Sequence, residues 1–453
     1  MPALRDWAIC RQMQFPTQHI RLHKEHLEPT LLVCSHIVIC CISLVYASQL
    51  YGTFHIFYDP YRLFDAVLIV AAFAPVSLLF VFADFSFGYF VGFYFYTMVL
   101  GYLWLSCFSD FDYDRQLAGL SAATSALAFL LPALFIKSPA SRTFVISLRS
   151  FDRLLTFLFL LAIATVAIGA SYNFQLVSPG EASASRNDAV PANLGYLIGP
   201  TSAVLLPFLF ACFVARKHYW RSGAILLLLL FYYPILMSKT AFFAPVWLVF
   251  LTLLSRFFKA KTAVILSLLG PILVGVIQLT FFKYATISYD STSLYFFTVN
   301  FRMVGVPSSA MDFYNDFFSR HDLTYFCQIR FLKSVISCPY HDQLGIVIKE
   351  TYPYVGTFNA SLFATEGIAS VGPRFAPIPV FVCGLVIAFA NRLSAGLPAS
   401  FILASGAILP QILLNVPLSI TLVTHGAFLL FLLWYITPRS MFESGDGRAS
   451  TAD

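Results

Sequence analysis

The residues best suited to chemistry lie in one charged stretch of an otherwise apolar chain. Residues 283–376, the long loop, carry seven basic and seven acidic side chains, although only 11% of the whole chain is charged. Arg302 stands among apolar residues there, and a guanidinium in such surroundings is costly unless an anion pairs with it. Its planar fork suits phosphate or pyrophosphate. Arg320, Arg330 and Lys333 add positive charge, so an anionic substrate is plausible; the alternatives for Arg302 are snorkelling and a structural ion pair.

Glu366 is the candidate proton acceptor. It lies within an apolar segment, and the loss of water around a carboxylate favours its protonated form and raises its pKa. Such a group can act as a general base that deprotonates an acceptor hydroxyl. The competing interpretation is an ion pair with Arg302 or Arg374, and His321 and His341 are second-choice bases.

Two further residues can contact a lipid-linked or sugar substrate. Lys239 lies at the tip of a tight turn between two apolar runs, where it can meet lipid headgroups or reach a lipid phosphate. Tyr314 is one of several aromatic residues in the long loop, and aromatic rings stack on the apolar faces of sugars.

A metal site and a disulfide were also considered. Asp110, Asp112 and Asp114 alternate in a short turn, and alternating carboxylates can bind a divalent cation, but such a run is more typical of topology and solubility. We therefore predict no metal. Cys327 and Cys338 can form a disulfide if the long loop faces an oxidising compartment, or remain free thiols.

The elements that position these residues must be membrane spans. The chain has 453 residues, 59% of them hydrophobic and 11% charged, whereas soluble domains carry roughly 25% charged residues. The net charge of +6 is scattered over short loops, which argues against a nucleic-acid partner. We predict an all-α, polytopic membrane protein.

A span needs about twenty apolar residues, and twelve segments satisfy this condition. Two long apolar runs were divided in two, at Pro234 to Thr240 and at Pro410 to Pro417, because each is too long for one crossing. The predicted spans are residues 30–51, 64–82, 87–108, 117–136, 153–172, 195–215, 222–238, 240–256, 262–282, 376–391, 397–415 and 418–437.

Lysine and arginine counts orient these spans. With a cytoplasmic N-terminus, the inner segments hold most of the basic residues outside the long loop, as the positive-inside rule requires. We expect a cytoplasmic tail at 1–29, a transmembrane region at 30–437 that includes the long loop on the outer face, and a cytoplasmic tail at 438–453. The expected location is a cytoplasmic membrane.

The long loop itself is predicted to contain short amphipathic helices on, or dipping into, the outer surface of the bundle. One should start at Pro307, with Ser309 and Asp312 as a capping pair. A second apolar helix is expected over residues 360–370.

The long loop resembles a known family. Arg302-Met-Val-Gly-Val-Pro307 and the following Met-Asp-Phe-Tyr314-Asn-Asp-Phe-Phe-Ser resemble the arginine–proline–tyrosine–Phe-Phe-Ser stretch of Wzy-type oligosaccharide repeat-unit polymerases. Gly356 to Gly372, with Asn359 and Glu366, is similar to that family's asparagine-containing, acidic segment before a span. The chain departs from the family at Ala369-Ser370, where an aromatic residue is common.

The resemblance implies a metal-independent, inverting glycosyl transfer at the outer membrane face, without a cofactor. The donor would be a glycan on undecaprenyl pyrophosphate and the acceptor a lipid-linked repeat unit, with a chain-length-determining protein as a further partner. Arg302, with Lys239 and Arg320, would bind the departing pyrophosphate, and Glu366 would be the base. Tyr314, Asn359 and His321 would complete the substrate site.

Two other functions remain open. An O-antigen ligase-like enzyme would share the donor and topology but transfer the glycan to another acceptor. A lipid-linked oligosaccharide flippase, or another carrier, would suit twelve spans, but carriers place ionisable residues near the middle of the membrane in broken helices. The ionisable residues of this chain lie mainly outside the predicted spans, many of them in the long loop, which disfavours a carrier.

Overall fold

The structure is a computed structural model that describes residues 15–176, 192–282, 289–329, 332, 334–353, 358 and 361–443. It is 78% helical and contains no strand within these residues. The α-helices are α1 Phe15–Leu50, α2 Leu63–Phe73, α3 Leu78–Phe82, α4 Phe87–Leu105, α5 Arg115–Phe135, α6 Leu148–Tyr172, α7 Ala192–Pro200, α8 Leu206–Ala215, α9 Tyr219–Leu236, α10 Lys239–Phe257, α11 Ala260–Phe282, α12 Tyr289–Phe296, α13 Val306–Phe318, α14 Leu344–Thr351, α15 Ser370–Phe375, α16 Pro377–Ser394, α17 Ala399–Ser405, α18 Leu409–Asn415, α19 Leu418–Val423, α20 Ala427–Ile436 and α21 Ser440–Glu443.

Ten helices of the described residues are long and apolar enough to cross a membrane, which confirms an all-α, multi-pass membrane protein. They match the first ten predicted spans, counting α2 and α3 as one helix from Pro60 to Phe82 and α7 with α8 as one from Leu194 to Ala215.

The last two predicted spans differ from the prediction. Residues 397–437 form the short helices α17 to α20 in place of two continuous membrane-length helices. Gly406 and Gly426 lie at two of the interruptions, Gly426 with a positive φ of 76°, and Pro417 lies directly before α19. Proline removes a helical hydrogen-bond donor, and a positive φ ends a helix.

The centre of the bundle is α4. Each of its residues from Phe87 to Leu105 is buried. It packs against α5, and α5 packs closely against α16, where a Cβ at Gly384 would lie 2.6 Å from the carbonyl oxygen of Phe129. Glycine at this contact lets the helix backbones touch, as is common in membrane bundles.

The segments that follow α1 and α4 identify one face of the bundle. The Phe57 amide donates to the Phe108 carbonyl at 2.9 Å, and the Asp110 amide donates to the His55 carbonyl at 3.1 Å. Both helices therefore end at the same side, called the loop face below. The other side, where α5 ends and α6 begins, is called the opposite face.

Candidate functional site

Arg302 belongs to one continuous helix, and not to a helix that starts at Pro307. Residues 289–318 run through α12, a π-helical stretch at Phe297–Gly305 and α13. Gly305 and Val306 both have α-helical backbone angles, so no cap separates the two parts. Ser309 donates to the Gly305 carbonyl at 2.8 Å as an ordinary residue inside a helix. Pro307 lacks an amide hydrogen, and the wider π turn before it accommodates the missing bond.

This helix lies deep between others instead of on their surface. The Asn300 side-chain amide nitrogen, Nδ2, donates to the Ile272 carbonyl at 2.8 Å and to Ser43 Oγ at 3.0 Å. The absence of a side chain at Gly275 leaves room for the Asn300 side chain, since a Cβ at position 275 would lie 1.9 Å from Asn300 Oδ1.

The second half of the helix is seated on α4. Ser308 Oγ donates to the Met98 carbonyl at 2.9 Å, and a Cβ at Gly101 would lie 2.3 Å from Ser308 Oγ. Every residue from Pro307 to Phe318 is buried. The expected amphipathic surface helix is thus a core element, because its polar side chains find partners on other helices.

Arg302 and Lys239 come together at the loop face. Lys239 is the first residue of α10, and it lies close enough to Arg302 for their like charges to repel. Arg302 is exposed, yet the protein atoms around its guanidinium lower its pKa by desolvation. Among the described residues neither cation has an ion-pair or hydrogen-bond partner. Two neighbouring cations without an acidic partner form a site for an anion.

Further along the same helix lies an acidic centre. Asp312 is 2% exposed and accepts a hydrogen bond from the Tyr113 hydroxyl, and the Ser109 hydroxyl lies near enough to stabilise its charged form. Burial raises the pKa of Asp312 to about 6, and the two hydroxyls and Arg115 oppose that rise. Arg115 does not reach the carboxylate directly; it donates to the carbonyls of Ser109 and Phe111.

One turn later, Asp316 is also buried. It accepts a hydrogen bond of 2.5 Å from the Tyr352 hydroxyl, and Arg320 forms an ion pair with it. Residues four apart lie on one helix face, so Asp312 and Asp316 point the same way. Their charges repel, which contributes to the raised pKa of Asp312.

Several predicted substrate residues have structural contacts in the same region. Arg320 is committed to Asp316. His321 stacks on the Phe317 ring at 4.0 Å between centroids, and its Nδ1 lies 2.8 Å from the Phe317 carbonyl oxygen. Tyr314 is fully buried in the core and presents no open ring face for a sugar.

Glu366 lies in a π-helical turn, Phe363–Ala369, that re-enters the bundle. Phe363 packs against Phe95 and Phe129, deep on α4 and α5. One carboxylate oxygen of Glu366 accepts from the Ser419 amide at 3.1 Å and from the Ser419 hydroxyl at 2.8 Å.

The other carboxylate oxygen of Glu366 accepts from Thr365 Oγ1 at 3.0 Å. Burial raises the pKa of Glu366, and these hydrogen bonds partly offset the rise. No ion pair links Glu366 to Arg302 or Arg374 among the described residues.

Two of the three aspartates of the 110–114 turn make separate contacts. Asp110 lies 3.1 Å from His55 Nδ1, and Asp114 caps α5 by accepting from the Leu117 amide. In the described part of the chain, no group of three potential metal-ligating side chains comes together.

Two further predictions for the long loop concern the disulfide and the polar residues of its middle part. Cys327 and Cys338 form a disulfide, with their Cα atoms 5.3 Å apart. Asn359, Arg330 and Lys333 lie outside the described residues.

The residues that the sequence did not reveal are the partners of the acidic centre. The sequence did not single out Asp316 or Tyr113; it indicated Tyr352 only as one of the loop aromatics that could stack on sugar rings, and Asp312 only as a helix cap. The spacing of Asp312 and Asp316, four residues apart in an apolar segment, was the available signal.

Comparison with known proteins gives no relative: no family model matches the chain, and no curated protein or solved structure matches it either.

Proposed function

We propose that the protein is a membrane glycosyltransferase that polymerises oligosaccharide repeat units carried on a polyprenyl pyrophosphate. The observation that supports this most is that Arg302 and Lys239 lie near each other at the loop face, each without an acidic partner among the described residues. When a glycan leaves its lipid carrier, negative charge grows on the pyrophosphate. Two preorganised cations stabilise that charge most in the transition state, which is where a rate increase originates.

The membrane setting fits such a substrate. A polyprenyl carrier lies among lipid tails, and its pyrophosphate lies at headgroup level, so the site must be reachable from the bilayer. Arg302 is exposed, and Lys239 begins a helix of membrane-crossing length. In this proposal Arg302 binds the phosphates in a bidentate manner and Lys239 contributes a point charge.

The disulfide supports placing the loop face outside the cytoplasm. Disulfides persist in oxidising compartments such as the bacterial periplasm, and Cys327–Cys338 lies in the long loop. The lysine and arginine distribution gives the same orientation. The proposed location is therefore the bacterial cytoplasmic membrane, with the site on its outer side.

The proposal assigns no proton transfer to Glu366. The Ser419 amide and hydroxyl both donate to its carboxylate and join the re-entrant turn to the start of α19, and Thr365 Oγ1 lies 3.0 Å from the other carboxylate oxygen. This arrangement supports a positioning role, in which Glu366 fixes the segment that follows the substrate site.

The test is complementation of a deletion strain, with surface polysaccharide separated on a gel. Loss of long chains with accumulation of single repeat units is expected for the deletion. Arg302→Lys should reproduce it while the protein remains in the membrane, because an ammonium cannot replace the bidentate guanidinium. Arg374→Lys, at another exposed arginine before α16, is the matched control and should restore long chains. Long chains in the deletion strain would reject the polymerase.

A lipid-linked oligosaccharide carrier is the second candidate. The broken helices α17 to α19 and the buried Glu366 beside them are features that carriers use at their substrate sites. The same deletion separates the two functions. A missing carrier leaves lipid-linked repeat units on the cytoplasmic side, whereas a missing polymerase leaves them on the outer side. A missing ligase would instead leave finished polymer on the polyprenyl carrier.

A further inference from the structure

A second cationic site lies at the opposite face, in the turn between α8 and α9. The Lys217 backbone has a positive φ of 60°. The His218 amide donates to the Phe213 carbonyl at 2.8 Å, and the Lys217 amide donates to the Val214 carbonyl at 3.0 Å. This pair of bonds is a Schellman motif, which ends a helix in one defined geometry. The turn therefore holds its side chains in fixed positions.

An open cavity of about 340 Å³ lies between this turn and the first turns of α6. Its polar end is formed by Asp152, Arg216, His218 and Arg221. Ligand sites in proteins start at roughly this size. The cavity is large enough for a headgroup and too small for a whole phospholipid.

The charges of the cavity leave one cation available. Arg216 forms an ion pair with Asp152. Arg221 lies over the Phe213 ring, 5.7 Å from its centroid, and has no ion pair among the described residues. The cavity thus combines a neutralised pair with one exposed guanidinium, which favours a ligand with a single negative charge.

The deeper wall of the cavity is apolar. Leu155 and Phe159 of α6 and Phe213 of α8 line it. Phe159 follows Asp152 by two helical turns, which is about 10 Å along the helix axis. The cavity therefore passes from charged to apolar along α6, as a lipid does from headgroup to acyl chain.

Two exposed aromatic residues indicate the depth at which the cavity lies in the membrane. Tyr219 is 64% exposed and Trp220 is 90% exposed, directly before Arg221 in the chain. Tyrosine and tryptophan concentrate at the boundary between headgroups and hydrocarbon. Arg221 accordingly lies where lipid phosphates lie.

We propose that this cavity binds an anionic phospholipid, with its phosphate against Arg221 and an acyl chain along Leu155 and Phe159. Basic pockets between spans commonly bind anionic headgroups. This site is separate from Arg302 and Lys239 and does not depend on the proposed glycosyl transfer.

The test is native mass spectrometry of the full-length protein in detergent, with phosphatidylglycerol or phosphatidylcholine added. The wild type should retain phosphatidylglycerol in preference to phosphatidylcholine. Arg221→Gln should weaken phosphatidylglycerol retention by at least about tenfold. Arg256→Gln, at an exposed arginine of the same face outside the cavity, should bind as the wild type does. Equal retention by Arg221→Gln and the wild type, or equal retention of the two lipids, would overturn the proposal.

Two further arms identify the ligand and protect the test against misfolding. Glycerol phosphate and inorganic phosphate, at the concentration of the lipid, should not displace phosphatidylglycerol; displacement by either would show a site for a soluble anion instead. Thr156→Trp places a large ring in the cavity without removing a charge and should also abolish preferential retention. If Thr156→Trp retains phosphatidylglycerol normally, the lipid does not occupy the cavity.

Discussion

The helix at residues 289–318 has two parts with opposite electrostatic character. In the π-helical part, Arg302 and its neighbour Lys239 carry charges that no described acidic residue neutralises. In the α-helical part, Asp312 and Asp316 are buried, each accepts a hydrogen bond from a tyrosine hydroxyl, and Asp316 also forms an ion pair with Arg320. The cations of the π-helical part are available to a ligand, whereas the carboxylates of the α-helical part hold the helix in place through their protein partners.

The partners of each charged group distinguish the groups available to a ligand from those that stabilise the fold. A buried charge is tolerated when protein groups satisfy it, so the satisfied aspartates require no ligand. Neighbouring cations repel each other unless an anion is bound, so in our proposal the arginine–lysine pair binds one. The following predictions test this division, from the largest expected effect to the smallest.

Removing the cations should affect activity far more than stability. Arg302→Ala and Lys239→Ala should each lower polymer formation, Arg302→Ala by at least about 100-fold, because each removes stabilisation of the leaving pyrophosphate. The double variant should be less impaired than the product of the single effects, since both act on one group. The measurement is polymer synthesis from lipid-linked repeat units, with the melting temperature of each variant as control. Strictly multiplicative losses would show that the two cations act separately.

The acidic part should make stability depend on pH. The pKa of the Asp312 carboxyl is raised from 3.8 to about 6 in the folded protein. The folded state then binds the proton more tightly than the unfolded state, so stability is lost as pH rises from 3.8 to 6. This loss amounts to at most about 3 kcal/mol.

Asp312→Asn should remove that dependence. Between pH 4 and pH 7, its melting temperature should rise relative to that of the wild type, whereas Asp65→Asn, at an exposed carboxylate, should follow the wild type. Parallel pH profiles for Asp312→Asn and the wild type would show that Asp312 does not become charged in this range.

Substitutions at two glycines of α11 test how the helix at residues 289–318 packs against α11. Gly275→Ala places a methyl group 1.9 Å from Asn300 Oδ1, and such overpacking should destabilise the protein by about 1–3 kcal/mol. At Gly270 a methyl group would meet no atom within 4 Å, so Gly270→Ala should be neutral or stabilising by up to about 1 kcal/mol. Thermal unfolding in detergent measures both. Equal effects would mean that Asn300 does not contact α11 in this way.

The smallest change is expected for Glu366→Gln. The amide oxygen of glutamine can still accept from Ser419, and its NH2 group can donate to Thr365 Oγ1, so polymer formation should fall by less than about tenfold, corresponding to 1.4 kcal/mol or less. The assay is the same polymer synthesis, measured at several pH values. A loss comparable with that of Arg302→Ala would identify Glu366 as the base and contradict the positioning role.

Much of the fold was predictable because membrane thickness sets the length of an apolar helix. The first ten predicted spans correspond to the ten membrane-length helices. The final region was less predictable: Pro410 and Pro417 suggested one division between two spans, but the additional breaks at Gly406 and Gly426 depend on contacts such as that of Gly426 with Pro200.

Residues of the candidate site could be predicted where their type and their neighbours in the sequence were enough to identify them. Arg302 among apolar residues and Lys239 in a tight turn were both singled out, and the structure places them together. The burial of Tyr314 and the commitment of Arg320 to Asp316 were not predictable, because they follow from the seating of α13 on α4. Ser308, which makes that contact, bonds to Met98, 210 positions away in sequence.

That long sequence separation has a consequence for biogenesis. Gly101 leaves a notch on α4 into which Ser308 and Val304 fit. At typical translation speeds of about 5–20 residues per second, the ribosome reaches Ser308 roughly 10–40 s after Gly101. During this interval the notch must stay empty or be held by an insertion factor, so assembly of the cation pair is timed by the late arrival of one helix.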